Sequence, residues 1–246
     1  EEFFIWSLIL ADKKWGSGEG ELDYKTWAKQ ILKDVLHRNK GESGPMWEAI
    51  NLIEFVPNAG FSDPSYHIPH AYALFSEYAE EEDQARWLDI AEASRVYLQK
   101  AVHPETGLFP EYALYSGEPE QTRGFSTFFS DAYRCMLNIA ADAKLHTKEA
   151  WHEEIARNQS RFFVSQGEKS VWYDYTIAGE KTGRDALHPL GLLATVACTR
   201  SVVDTEESST LAKAFWNSEM RIGDRRYFDN FLYIFCFLLL SGKYTY

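Results

Sequence analysis

The sequence predicts an all-α fold, built as helical hairpins closed into a ring. Apolar residues recur at helical rather than alternating spacing through almost the whole chain, and strongly amphipathic segments alternate with more apolar ones. With 15 Gly and 8 Pro in 246 residues, 45% hydrophobic and 25% charged, the composition is that of a compact globular chain, neither fibrous nor disordered.

Nine helices are predicted, over 1–14, 24–38, 66–79, 83–102, 129–146, 149–166, 188–203, 209–217 and 225–241. The first has no cap, and its apolar pattern is already running at Phe3 and Phe4, so the chain is expected to be entered in mid-element, incomplete at its N-terminus. Over 83–102, Asp83 is the expected N-cap and Ala85, Leu88, Ala91, Val96 and Leu98 the expected apolar face. Over 149–166, Trp151, Ile155, Phe162 and Phe163 share a face, while Glu153, Glu154, Arg157 and Arg161 point away. These two read as outer helices. Inner helices start from polar or aromatic loops, at Phe61-Ser62-Asp63-Pro64-Ser65-Tyr66, Phe129-Ser130-Asp131-Ala132-Tyr133-Arg134, Asp185-Ala186-Leu187-His188-Pro189 and Asp229-Asn230.

The net charge of −12 opposes nucleic acid and anionic lipid as partners, because both are bound through Lys and Arg clusters. The longest apolar run, 231–240, is too short to span a membrane. Cys135, Cys198 and Cys236 are scattered and odd in number, which reads as reduced core thiols in the cytoplasm. Eight Trp, fourteen Tyr and sixteen Phe supply rings that fill a core or stack on sugar faces.

Inner helices of such a ring gather their N-termini at one end, where a cleft forms. Acids there are candidates for chemistry. Asp131 can serve as a general base toward water or as an ordinary N-cap. For Asp63, followed by Pro64, capping is the first reading; Tyr66 can orient a water or a sugar hydroxyl, or pack half-buried. His188, held between Leu187 and Pro189, suits a hydrogen bond to a ligand. His67 and His70 with Glu77 are weak evidence for metal, and no nucleotide or serine-hydrolase motif occurs, so neither metal nor cofactor is expected.

Five segments in order resemble family 8 of the glycoside hydrolases: Glu1-Glu2-Phe3-Phe4 with Trp15-Gly16; Phe61 to His67; His103-Pro104-Glu105-Thr106-Gly107-Leu108; Ser130 to Arg134; and Leu187 to Ala194. The resemblance implies an (α/α)6 barrel acting with inversion, residues 1–246 being one catalytic domain that makes up the C-terminal two-thirds of that barrel. Within the family the chain looks most like reducing-end xylose-releasing exo-oligoxylanases, whose Leu-His-Pro turn closes one end of the cleft. That likeness implies a xylo-oligosaccharide substrate, Asp131 as base, Tyr66 as the water-positioning residue, and Leu187, His188, Arg134, Tyr133 and Asp63 as substrate-binding residues. The family's acid, a glutamate in a Thr-Glu-Gly type motif, has no match in this sequence, so weak turnover is expected. Alternative readings are an endo-acting family 8 xylanase, cellulase or chitosanase, and a carbohydrate-binding fragment without catalysis. Oligomeric state is not legible.

Overall fold

The computed structural model describes residues 1–38, 46–47, 50–56 and 58–246. It is mostly helical, with nine α-helices among the described residues: α1 Glu2–Trp15, α2 Tyr24–His37, α3 Pro69–Tyr78, α4 Gln84–Ala101, α5 Arg134–Leu145, α6 Ala150–Ser165, α7 Pro189–Ala197, α8 Glu206–Trp216 and α9 Arg226–Leu240. Each predicted helix has its counterpart, and the ends differ for local reasons. Pro69 occupies the first turn of α3 and so sets its start, leaving Pro64–Tyr66 as a separate 3-10 turn. Likewise Ser130–Tyr133 is a 3-10 turn, and α5 begins only at Arg134. At α8 the Thr205 hydroxyl accepts from Ser208 N while Ser208 reaches back to the Thr205 N–H, a capping box that starts the helix three residues before the predicted 209.

The chain divides into two compact units. The first comprises Glu1–Gly60, Ile68–Val96 and Tyr246. Here α1, α2 and α3 pack on one another around Ile5, Ile9, Ala28 and Leu32, and Tyr72, Phe75 and Trp87 form an aromatic cluster with centroids 5.3–6.0 Å apart. Trp87 is fully buried in that cluster. Its replacement by Ala is expected to lower stability by about 3–5 kcal/mol, because the cavity left by an indole cannot collapse. Urea unfolding followed by circular dichroism measures this, and a loss under about 1 kcal/mol would contradict it.

In α4 the expected apolar face is corrected. Leu88 and Val96 are 51% and 41% exposed and Ala85 is also exposed, whereas Trp87, Ile90, Ala91, Ser94, Tyr97, Leu98 and Ala101 are buried. The buried stripe follows spacings of three and four from Trp87, whose ring dominates the burial and sets which side turns inward. Asp83 uses its carboxylate on His37 Nε2 of α2, at 2.8 Å, and sits in a 3-10 turn ahead of α4.

The second unit comprises Phe61–His67 and Tyr97–Thr245. Its core is α5 and α7, buried along most of their lengths, with α6, α8 and α9 packed against them. As expected of an outer helix, α6 buries Ile155, Ala156, Phe162 and Phe163 and exposes Glu154, Arg157 and Arg161. α9 buries Leu232, Cys236 and Leu239 and exposes Tyr227, Phe231, Ile234 and Phe237. Among the described residues, three two-stranded antiparallel pairs were not predicted, since strands of two to five residues carry no periodicity to read. They are β1 Met46–Trp47 with β2 Leu52–Ile53, β3 Phe61–Ser62 with β4 Ala113–Leu114, and β5 Tyr173–Tyr175 with β6 Lys181–Asp185. The last pair lies against the loop that precedes α5: the Phe128 N–H donates to the Tyr175 carbonyl at 2.8 Å. All three cysteines are buried and unpaired, and no helix among the described residues is long and apolar enough to cross a membrane.

Candidate active site

Within the second unit, the start of α5, the Asp63 to Tyr66 segment and the start of α7 converge. Phe129 is extended, and Ser130 then takes φ 40°, the left-handed region that costs a non-glycine residue on the order of 1 kcal/mol. That reversal turns the chain sharply just before Asp131. Phe129 anchors the turn from one side, with the Arg184 guanidinium 4.4 Å over its ring and Arg184 itself held by the buried Asp174. The Asp131 side chain caps no helix N–H in the Ser130–Tyr133 turn, and at 31% exposure it remains open to solvent. Its partner is Arg134, 3.2 Å away.

Asp63 does cap: its carboxylate accepts from Ser65 N at 2.8 Å and starts the Pro64–Tyr66 turn. It is fully buried, and Arg134 reaches it at 3.5 Å while donating to Ser65 Oγ at 2.8 Å. Burial pushes the Asp63 carboxyl up to about 7 despite the pull of Arg134. The Asn138 side chain donates to the Ser65 carbonyl at 2.7 Å and so ties this turn to α5. Tyr66 lies with its ring 4.7 Å under the same guanidinium, 38% exposed. Arg134 therefore gathers Asp131, Asp63 and Tyr66 around one cation, leaving the carboxylate of Asp131 and the ring of Tyr66 accessible. An exposed carboxylate near a phenol can take a proton from a water held between them.

Tyr133 is buried at the back of this turn, its ring against Phe128 and its hydroxyl close to the backbone of Ser130 and Leu187. Tyr133 and Asp63, expected to bind substrate, are both buried behind Asp131 and Tyr66. Leu187 is half-buried, and His188 is buried, 7% exposed, its ring tilted against Phe228 at 4.3 Å, with Phe228 in turn 5.9 Å from the Arg134 guanidinium. His67, considered for metal, is buried with its Nε2 2.8 Å from Ser62 Oγ, and among the described residues no group of three or more His, Cys, Asp or Glu is placed to hold an ion.

Glu111 belongs to this neighbourhood and was not anticipated. It is only 7% exposed, its carboxylate lies beside the main chain of Asp131, and its Oε2 is buried without a hydrogen-bond partner. Burial, with Asp131 and Asp63 nearby, pushes it up to about 7. A glutamate inside the apolar run Leu108-Phe109-Pro110-Glu111-Tyr112 was the available signal, since an acid in such a run is buried only where something holds it.

The model of the glycosyl hydrolases family 8 matches residues 1–240. The reducing-end xylose-releasing exo-oligoxylanase of Paenibacillus barcinonensis is 47% identical over 249 residues, which are 99% of this chain and 65% of that protein. That of Halalkalibacterium halodurans is 44% identical over 248 residues, 99% of this chain and 64% of that protein. The chain thus spans just under two thirds of the length of these relatives. A crystal structure of a reducing-end-xylose releasing exo-oligoxylanase superposes with a TM-score of 0.94 at 41% identity, covering 98% of this chain and 66% of that one. The same enzyme has been solved with one tyrosine changed to phenylalanine and with one aspartate changed to cysteine or asparagine. Those two residues are separated along that chain by as many positions as Tyr66 and Asp131 are here. A glutamate replaced in a complex with xylobiose lies further ahead of that tyrosine than Glu1 lies ahead of Tyr66.

Proposed function

Because the chain belongs to family 8 of the glycosyl hydrolases, we propose that it carries the base-bearing part of an inverting catalytic domain that releases xylose from the reducing end of xylo-oligosaccharides. Asp131 is the general base that takes a proton from the attacking water, and Tyr66 orients that water. Arg134 holds both in place, and the 187–189 turn, with the half-buried Leu187 on its outer side and His188 buried beneath it, closes the reducing-end side. The observation that carries this reading is the gathering of Asp131, Tyr66 and the buried Asp63 around Arg134, with only Asp131 and Tyr66 substantially exposed. That a tyrosine and an aspartate at the same separation were the residues substituted in the solved relative supports singling out these two. Three buried thiols fit a reducing compartment such as the cytoplasm.

Inversion places two carboxyl groups about 6.5–9.5 Å apart on opposite sides of the scissile bond. Glu111 does not meet that need, because it is buried and lies beside the main chain of Asp131 itself, leaving no room for a sugar between the two carboxyl groups. The glutamate substituted in the xylobiose complex has no counterpart at its separation within this sequence, so we assign the acid to none of these 246 residues. Incubation with xylohexaose is therefore expected to show stepwise loss of xylose from the reducing end, at a rate about 10² to 10⁴ below that of a relative with both carboxyl groups. Chromatography of the products checks this. Mixed short oligosaccharides would overturn the exo reading, and turnover equal to the relative's would overturn the assignment of the acid.

A further inference from the structure

The 187–189 turn is held by groups that lie well outside it in sequence. His188 provides no side-chain cap for α7, which begins at Pro189. The cap comes instead from Asp229 in the first turn of α9: its Oδ1 accepts from the Gly191 N–H at 2.7 Å. The other oxygen, Oδ2, lies 3.2 Å from His188 Nδ1 and accepts from Arg221 at 2.5 Å. The same Arg221 nitrogen donates to the Leu187 carbonyl at 3.3 Å, so one guanidinium bridges the turn and the carboxylate. Asn230, next to Asp229, fixes Arg221 in turn by pairing with both its main-chain N–H and its carbonyl, at 2.9 and 2.8 Å. A Cβ at Gly191 would meet Leu232 Cδ1 at 3.0 Å and Asp229 Oδ1 at 3.4 Å, so the close approach of α7 to α9 depends on glycine there.

We propose that Asp229, acting with Arg221, is a positioning residue that locks the 187–189 turn and thereby sets how far the reducing end of a xylo-oligosaccharide can extend. The inference rests on the function proposed above. Asp229 is fully buried; burial works against its ionisation, but the hydrogen bonds from His188, Gly191 and Arg221 outweigh that and hold the carboxyl below its usual range. A carboxylate in that state accepts the Nδ1–H of His188 and so fixes the orientation of the buried ring against Phe228. The turn then stands as a rigid stop, where a merely tethered loop would yield to a longer ligand.

The test uses the 246-residue chain, its Arg221→Ala, Asp229→Asn and Asp229→Ala variants, and two probes, xylotriose and p-nitrophenyl xylotrioside, which carries a bulky group where the stop would stand. Calorimetry of the wild type is expected to show the blocked probe binding at least about tenfold more weakly than xylotriose. Arg221→Ala, at a partly exposed site that tolerates truncation, is expected to narrow that ratio to about threefold or less. Asp229→Asn keeps an acceptor for Gly191 but presents N–H to His188, so ¹⁵N spectra should show the imidazole switching from the Nδ1–H to the Nε2–H tautomer. In Asp229→Ala the Gly191 amide should exchange at least about tenfold faster. A faster Gly191 amide or a switched tautomer with an unchanged probe ratio overturns this inference while leaving the proposed function standing. Failure of the wild type to bind xylotriose overturns both.

Discussion

Asp131→Asn is expected to abolish fluoride release from β-xylobiosyl fluoride, a substrate whose leaving group departs without a proton. The wild-type chain, with its base in place, should hydrolyse this fluoride even where it turns over xylotriose slowly, and the product should have the inverted configuration. Removing a general base lowers such a rate by about 10² to 10⁴. The asparagine is nearly isosteric, so the contact with Arg134 and the turn at Ser130 persist and xylotriose affinity should change by less than about threefold. A fluoride electrode and calorimetry provide the two readings. Equal fluoride release by wild type and Asp131→Asn would remove Asp131 from the reaction.

Glu111→Gln is expected to stabilise the chain at alkaline pH relative to acid pH. In the folded state burial and the neighbouring Asp131 and Asp63 raise this carboxyl from 4.5 to about 7, with Arg184 pulling the other way. The folded protein therefore holds the proton more tightly than the unfolded chain. Its contribution is fully present below about 4.5 and is lost as pH rises through about 7. A tenfold difference in proton affinity between folded and unfolded chains corresponds to about 1.4 kcal/mol, and Asp63, close by and raised in the same way, takes part of the effect away from a single substitution. Compared with wild type, Glu111→Gln should thus gain on the order of 1–3 kcal/mol between about pH 5 and about pH 8. Asp229 has the opposite sign, with stability lost only as pH falls through its depressed value, so it leaves this window undisturbed. Urea unfolding of both proteins at the two pH values supplies the difference. A difference independent of pH would show that Glu111 does not hold its proton near neutrality.

Helix placement was legible because an amphipathic helix writes its period into local sequence. All nine predicted helices are present among the described residues, and α6 buried Ile155, Phe162 and Phe163 of the face its pattern named, with Trp151 half-buried at its edge. In α4 pattern alone misled, since Leu88 and Val96 are as apolar as the residues that were buried and only the packing of Trp87 decided between the sides. The candidate base was legible through a short segment, Ser130 to Arg134, that the family resemblance singled out, and so was Tyr66. That Asp131 is accessible while Asp63 is sealed was not, because both are aspartates at the mouth of a helical turn and only tertiary burial distinguishes them.

By itself, then, the sequence determined the helical class, the family, and the identities of the residues at the turns, all of which are set by local order along the chain. Tertiary structure decided what those residues do to each other. Arg134, beside Asp131, reaches Asp63 across 71 positions, and Asp229 reaches back 41 positions to His188. Electrostatic coupling depends on distance and burial in space, and neither is encoded in separation along the chain.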